Sequence, residues 1–280
     1  MRFVIDSNQI EDIARSGAPR PSCPRLVIAP MVWSEFILQQ RLASCLAALA
    51  LYDVVFGMGY PHILDALRCL DEDGIREFVP IYPVGSEPHN ILRGVFCSPT
   101  PKHFQYAKEL ARDAAQHRRQ SLSWFEQQKK ENRAAKSRGE RIEMAEFSNI
   151  EEADSYFISG DTAVWRRALL AQITEGSVSI RASSANSLYE AVLGNPSLRR
   201  FLQMDITFAL AYTDCWSTRS INSLGDLQAK RDDVSDIMLA LYAADGDTII
   251  TNDKRLKAAL KFCDPLEKVR VSTWRGLERG

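Results

Sequence analysis

Short apolar runs that break off on a carboxylate or a proline stand at both ends of this chain, and they constrain its fold more than any other feature. Near the N-terminus Phe3, Val4 and Ile5 run straight into Asp6, and "RLVIAP" (25–30) closes on Pro30. Near the C-terminus "TIIT" (248–251) stops at Asn252 and Asp253, and "KVRVSTW" (268–274) forms a last run. Brief apolar runs separated by longer helical patterns predict strands in a mostly parallel sheet, joined by crossover helices. Helical character follows in "MVWSEFILQQRLASCLAALALYDVVFGM" (31–58), where Leu42 to Met58 reads as a buried Ala-rich helix too short to span a membrane. "PHILDALRCLDEDG" (61–74) predicts a short helix ending near Gly74. "REFVPIYPVGSEP" (76–88) offers another strand, which Pro80 and Pro83 restrict to an irregular or edge position.

The middle of the chain differs. From Pro101 to Met144 Gly and Pro almost vanish, which predicts one or two long helices. Residues 101–145 carry eleven Lys or Arg against six Asp or Glu, whereas 146–163 carry five acids and no base, so the two blocks suit mutual pairing. Further helices are predicted over roughly 160–174, 185–194 and 197–215, and then over 233–245 and from Asn252 to Phe262. The pattern is an α/β unit, 1–100 and 216–280, interrupted by an all-helical insertion, 101–215.

Composition narrows the chemistry. With 45% hydrophobic and 25% charged residues the chain suits a soluble globular protein, and its six cysteines form no CxxC pair, as expected of reduced core thiols in the cytoplasm. No run resembles a signal peptide, and no membrane partner is expected. The net charge of −1 means that any nucleic-acid contact must come from local basic patches. His62, His89, His103 and His117 lack zinc-ligand spacing. "GMGY" (57–60) lacks the third glycine of a dinucleotide site, and neither GxSxG nor a Walker A loop is present.

Four carboxylates fall at corresponding places. Asp6 ends the first strand, Glu35 lies in the first turns of the helix after Pro30, Asp236 lies in the first turn of the helix "DVSDIMLALYAAD", and Asp253 follows "TIIT". In an open parallel sheet the carboxyl ends of the strands and the adjacent helix starts share one edge, where sites form. Carboxylates gathered there repel one another unless a cation holds them, and oxygen donors suit Mg²⁺ or Mn²⁺. Each acid alone has a structural reading: Asp6 and Asp253 as helix caps, and Asp236 at the positive end of a helix dipole behind Asp233 as the cap. Glu35, between Trp33 and Phe36–Ile37–Leu38, is harder to account for without a partner.

These residues resemble the PIN-domain nucleases. The resemblance is carried by the strand running into "DSN" (6–8), by "VIAPMVWSEF" (27–36) with Pro30 ahead of Glu35, and by "DIMLALYAADGDTIITND" (236–253) with its T-x-D ending. It covers residues 1–60 and 225–275; Gln9 stands where an aliphatic residue is common, and the stretch from Glu35 to Asp236 is far longer than in compact members. The resemblance implies a three-layer α/β/α fold and metal-dependent hydrolysis of phosphodiester bonds, usually in RNA, by a toxin-type or RNA-processing enzyme. Asp6, Glu35, Asp236 and Asp253 would be both catalytic residues and ligands of Mg²⁺ or Mn²⁺. Asn8, Thr251, Asn252 and Asp233 would orient those ligands or their waters. Lys230, Arg231, Lys254 and Arg255 would contact nucleic-acid phosphates, and the basic stretch 102–141, with Trp124 and Phe125, either guides a single strand or forms a solvated face over two core aromatics.

Three rival readings remain. A haloacid-dehalogenase-type phosphatase also opens on a strand ending in Asp, but wants a second Asp where Asn8 stands. A PIN-like scaffold could keep its acids and serve only as a binding module, docking a partner or inhibitor protein on the helical insertion. A structure-specific nuclease would act on DNA in place of RNA.

Overall fold

Among the described residues, five short strands form a single all-parallel sheet in the order β3–β2–β1–β4–β5: β1 Arg2–Ile5, β2 Arg25–Ile28, β3 Val54–Phe56, β4 Thr248–Ile250 and β5 Arg270–Ser272. The computed structural model describes residues 1–16, 25–39, 49, 52–97, 100–140, 152, 154–159, 184–212, 236–263 and 267–274. β1 is the central strand, with Val4 opposite Val27 of β2 on one side and Ile249 of β4 on the other. The central positions of β1, β2 and β4 are buried, as expected of parallel strands covered on both faces. Nearly continuous apolar sequence at these strands has the same cause.

The chain runs outward from β1 through β2 to β3, then returns on the other side of β1 as β4 and β5. The order therefore reverses between β1 and β4, and their carboxyl ends flank the crevice that such a reversal opens. Helix α1 (Ser7–Ser16) starts directly after β1, and α2 (Pro30–Gln39) directly after β2, with Pro30 at a helix start, where its missing N–H costs nothing.

Several boundaries differ from the expectation. Val54–Phe56, expected inside a buried helix, is strand β3; two adjacent β-branched residues and an aromatic favour the extended chain, and the preceding alanines masked the change of period. Residues 61–74 contribute to two helices, α3 (Tyr60–Cys69) and α4 (Glu72–Glu77), and Gly74 lies inside the second, where its N–H is capped by Asp71 at 2.8 Å. Segment 76–88 contributes only a single antiparallel bridge, Ile81 to Gly57, as its two prolines suggest.

Helix α5 (Glu87–Cys97) packs on β3, with Phe96 and His89 against Phe56 at centroid distances of 5.3 and 5.9 Å. The basic stretch forms one 37-residue helix, α6 (Pro101–Ser137), about 55 Å long at 1.5 Å per residue. It lies along α2 and α5, and the small side chains of its buried Ala107 and Ala111 allow close approach. Helices α7 (Ala185–Gly194) and α8 (Pro196–Tyr212) follow, then a 3₁₀ helix, Ile237–Tyr242, in place of the regular helix expected there. Helix α8 packs on this 3₁₀ turn and on α9 (Lys254–Cys263). The helix expected over 160–174, and the ends 213–215 and 233–235 of two others, lie outside the described residues. No helix among the described residues is long and apolar enough to cross a membrane.

Candidate active site at the carboxyl edge of the sheet

Asp6 and Asp253 meet at the reversal of strand order. The β1–β4 pairing extends one step past the strands, with the Asp6 N–H donating to the Ile250 carbonyl at 3.1 Å, so Asp6 leaves the sheet at a fixed position. Its carboxylate is buried, and Oδ2 accepts a hydrogen bond from the Thr251 hydroxyl at 2.8 Å. The Ser7 hydroxyl makes a longer contact with Oδ1, 3.4 Å, and the Ser7 backbone N–H also donates to this carboxylate. Thr251 is itself fully buried, and its hydroxyl oxygen accepts the Asp253 N–H at 2.9 Å. One hydroxyl thus links the two acidic residues.

Asp253 does two jobs with its two oxygens. Oδ1 caps α9, accepting from the Arg255 and Leu256 N–H groups at 2.6 and 2.9 Å. Oδ2 lies 3.7 Å from an Arg255 guanidinium nitrogen, a weak ion-pair distance. The capping reading of Asp253 is therefore correct, and it leaves the second oxygen without a short bond to a described residue. Burial pushes the Asp6 carboxyl above the usual aspartate range; the hydrogen bonds from Thr251 and Ser7 oppose that shift, and the charge on Asp253 adds to it. A buried acid made harder to ionise by its neighbour is the arrangement a cation relieves.

The other candidates are placed as follows. Glu35 is half-buried on α2, in the helix that starts at the end of β2, and Asp236 is half-buried at the start of the 3₁₀ helix. No third acid joins Asp6 and Asp253: among the described residues no three His, Cys, Asp or Glu side chains form a group that could hold a metal ion. Asn8 and Asn252 are exposed at this edge, and Lys254 and Arg255 open α9 beside it. Lys230, Arg231 and Asp233 lie outside the described residues.

The donor chemistry fits a hard divalent ion only as far as the pair goes. Asp253 offers one carboxylate oxygen with no short hydrogen bond to a described residue, beside the buried Asp6 carboxylate, and Mg²⁺ commonly binds through one or two carboxylates while keeping several waters.

Sequence reasoning missed the part played by Gln9. It is fully buried, and its Oε1 accepts the Trp274 N–H at 2.7 Å, tying the first turn of α1 to the end of β5. An amide where an aliphatic residue is common was the available signal. On the β3 side, Trp33 donates to the Gly57 carbonyl at 3.2 Å and Tyr242 to the Met58 carbonyl at 2.7 Å. Burial lifts the neighbouring Tyr82 phenol to about 12.

No family model, curated protein or solved structure matches this chain. What the site can do follows from its own residues.

Proposed function

We propose that this protein is a PIN-like, three-layer α/β/α nuclease that hydrolyses phosphodiester bonds with Mg²⁺ or Mn²⁺, and that single-stranded RNA is its first candidate substrate. The observation that carries the proposal is the pairing of Asp6 with Asp253 through the Thr251 hydroxyl, at the point where the strand order of a parallel sheet reverses. Asp6 and Asp253 are the residues that would hold the ion; Glu35 on α2 and Asp236 ahead of the 3₁₀ helix are candidates that form no three-acid group with them among the described residues. A bound divalent ion supplies an activated water and neutralises charge developing on the phosphoryl oxygens.

The chain's own residues account for the rest. Thr251 fixes the Asp6 carboxylate by donating to Oδ2. The N-terminal turn of α9 holds Asp253 in one rotamer through two backbone donors. The two side chains are thus oriented before substrate arrives, which favours reaction over rearrangement.

The specific observation favouring a silent binding module is the lack of a third acid beside this pair among the described residues. One experiment separates the two readings. Purified protein is incubated with single-stranded RNA and DNA pools and Mg²⁺ or Mn²⁺, alongside Asp6→Asn. Metal-dependent cleavage lost in Asp6→Asn, with unchanged thermal unfolding, supports the nuclease. Identical behaviour of both proteins, with no divalent-ion binding by calorimetry, rejects it.

A further inference from the structure

Helix α9 leaves the candidate site with an unusual outer face. Leu256, Ala259, Leu260 and Cys263 are buried and fix its inner face. Lys254, Lys257 and Lys261 recur at i, i+3 and i+7, so they fall on the opposite face, within about 60° of one another at 100° per residue. Along the axis they are spaced by about 4.5 and 6 Å. Lys254 and Lys261 are exposed and Lys257 is half-exposed, and α9 contains no acidic residue. None of the three lysine side chains makes a hydrogen bond or ion pair with a described residue. Arg255 is different: it points off the stripe, towards Asp253.

A protein with a net charge of −1 thus presents, among the described residues, a row of three cations whose ammonium groups make no ion pair and which begins one residue from Asp253. An acid three or four residues away on the same helix face stabilises a surface lysine. Helix α9 itself carries no such acid, Asp253 at its cap being the nearest described one in sequence, and the face opens beside a carboxylate pair that would itself repel a polyanion. The row supplies the missing attraction.

We infer that Lys254, Lys257 and Lys261 form a phosphate-binding track for single-stranded nucleic acid, leading the strand along α9 to Asp6 and Asp253. This rests on the phosphodiester reading of the site and adds to it the direction of approach and two residues, Lys257 and Lys261, that sequence alone did not single out. Flexible ammonium groups on one helix face contact phosphates as point charges and read no bases, so binding is sequence-tolerant.

The test is binding of a short fluorescent single-stranded oligoribonucleotide by anisotropy, in EDTA so that cleavage plays no part, across a range of salt. The probe proteins are wild type, the triple variant Lys254→Gln/Lys257→Gln/Lys261→Gln and the corresponding triple arginine variant. The glutamine variant is expected to bind at least tenfold more weakly. Its slope of log K against log salt is expected to be smaller by about 2, at roughly 0.7 for each phosphate no longer neutralised. The arginine variant is expected to retain affinity. Unchanged affinity and slope in the glutamine variant overturn the track, as does equally tight binding of polyglutamate, which would make the face a dock for acidic polypeptide. Because binding is read without metal, a track abolished in the glutamine variant stands even if Asp6→Asn leaves cleavage intact, and failure of the nuclease reading is seen separately.

Discussion

The Thr251 hydroxyl donates to Asp6 at 2.8 Å and accepts from the Asp253 N–H at 2.9 Å, so one side chain sets the position of both acids. Replacing it with the isosteric valine removes the only short side-chain hydrogen bond that the buried carboxylate receives from a described residue. A lost hydrogen bond to a charged group costs about 2 kcal/mol, so Thr251→Val is expected to lower the urea midpoint accordingly. The substitution also withdraws a donor that favours the ionised form, so the Asp6 carboxyl moves further up. The acid limb of the pH–rate profile is expected to shift to higher pH; an unmoved limb would show that Asp6 is not the titrating group.

Asp253 combines a structural and a chemical task, and two substitutions separate them. Asparagine keeps an oxygen able to accept from the Arg255 and Leu256 N–H groups, so Asp253→Asn is expected to leave stability within about 0.5 kcal/mol of wild type while removing a charge that would bind the ion. Asp253→Ala loses the cap as well and is expected to cost about 1 kcal/mol more. Chemical unfolding, read beside the cleavage assay, checks both; equal stability of the two variants would mean that the cap contributes nothing.

At the opposite edge of the sheet Asp247 anchors β1 to the turn before β4. It is buried, accepts the Arg2 N–H at 2.8 Å and the Arg2 guanidinium at 2.9 and 2.6 Å, and also takes the Ala244 N–H at 2.9 Å. Removing one partner of such a cluster leaves the others desolvated and unpaired, so Asp247→Ala is expected to destabilise by about 3 kcal/mol in urea unfolding. Since Asp247 lies away from the carboxyl edge, the folded variant is expected to keep its cleavage rate.

Strands β1, β2, β4 and β5 and the place of Asp6 were legible as short apolar runs, most of them punctuated by a residue unable to continue them, and the T-x-D ending of β4 carries its hydroxyl and its cap in sequence. The start of β3 was not legible, because the helix-forming alanines ahead of Val54 blur the change of period. Nor was Gln9, whose partner, the Trp274 N–H, is 265 positions away. The lysine stripe on α9 was half-visible: Lys254 stood out beside Asp253, but only the burial of Leu256, Ala259 and Leu260 shows which lysines share its face.

Gly57 ends β3 where three elements converge. A Cβ built there would lie 2.6 Å from Tyr242 Cε1 and 2.9 Å from Pro30 Cδ, and the Tyr242 ring is held in place by its bond to the Met58 carbonyl. Gly57→Ala must displace that ring or the start of α2, and overpacking of this kind costs about 1–3 kcal/mol. Gly85 supplies the contrast: its φ of 89° strains an alanine, but nothing lies within 4 Å of the new atom, so Gly85→Ala is expected to cost only about 1 kcal/mol. Equal losses in the two variants would show that backbone conformation, and not the Tyr242 contact, governs position 57.

Asp205, on α8, makes no hydrogen bond to a described residue, and burial of its carboxyl pushes it up to about 7 from the ordinary 3.8. A folded-state value above the unfolded one means that the native protein holds the proton longer. The protonated acid is tolerated without penalty at low pH; as pH rises from about 4 to about 7 the unfolded chain ionises first and native stability falls, and above 7 the penalty is constant. Asp205→Asn removes the titration. Discounted for the partial exposure of this residue, the variant is expected to match wild type near pH 4 and to exceed it by about 2 kcal/mol at pH 8. Urea unfolding of both proteins at a series of pH values checks this, and a stability difference that does not grow between pH 4 and 7 would place the ionised carboxylate in contact with water.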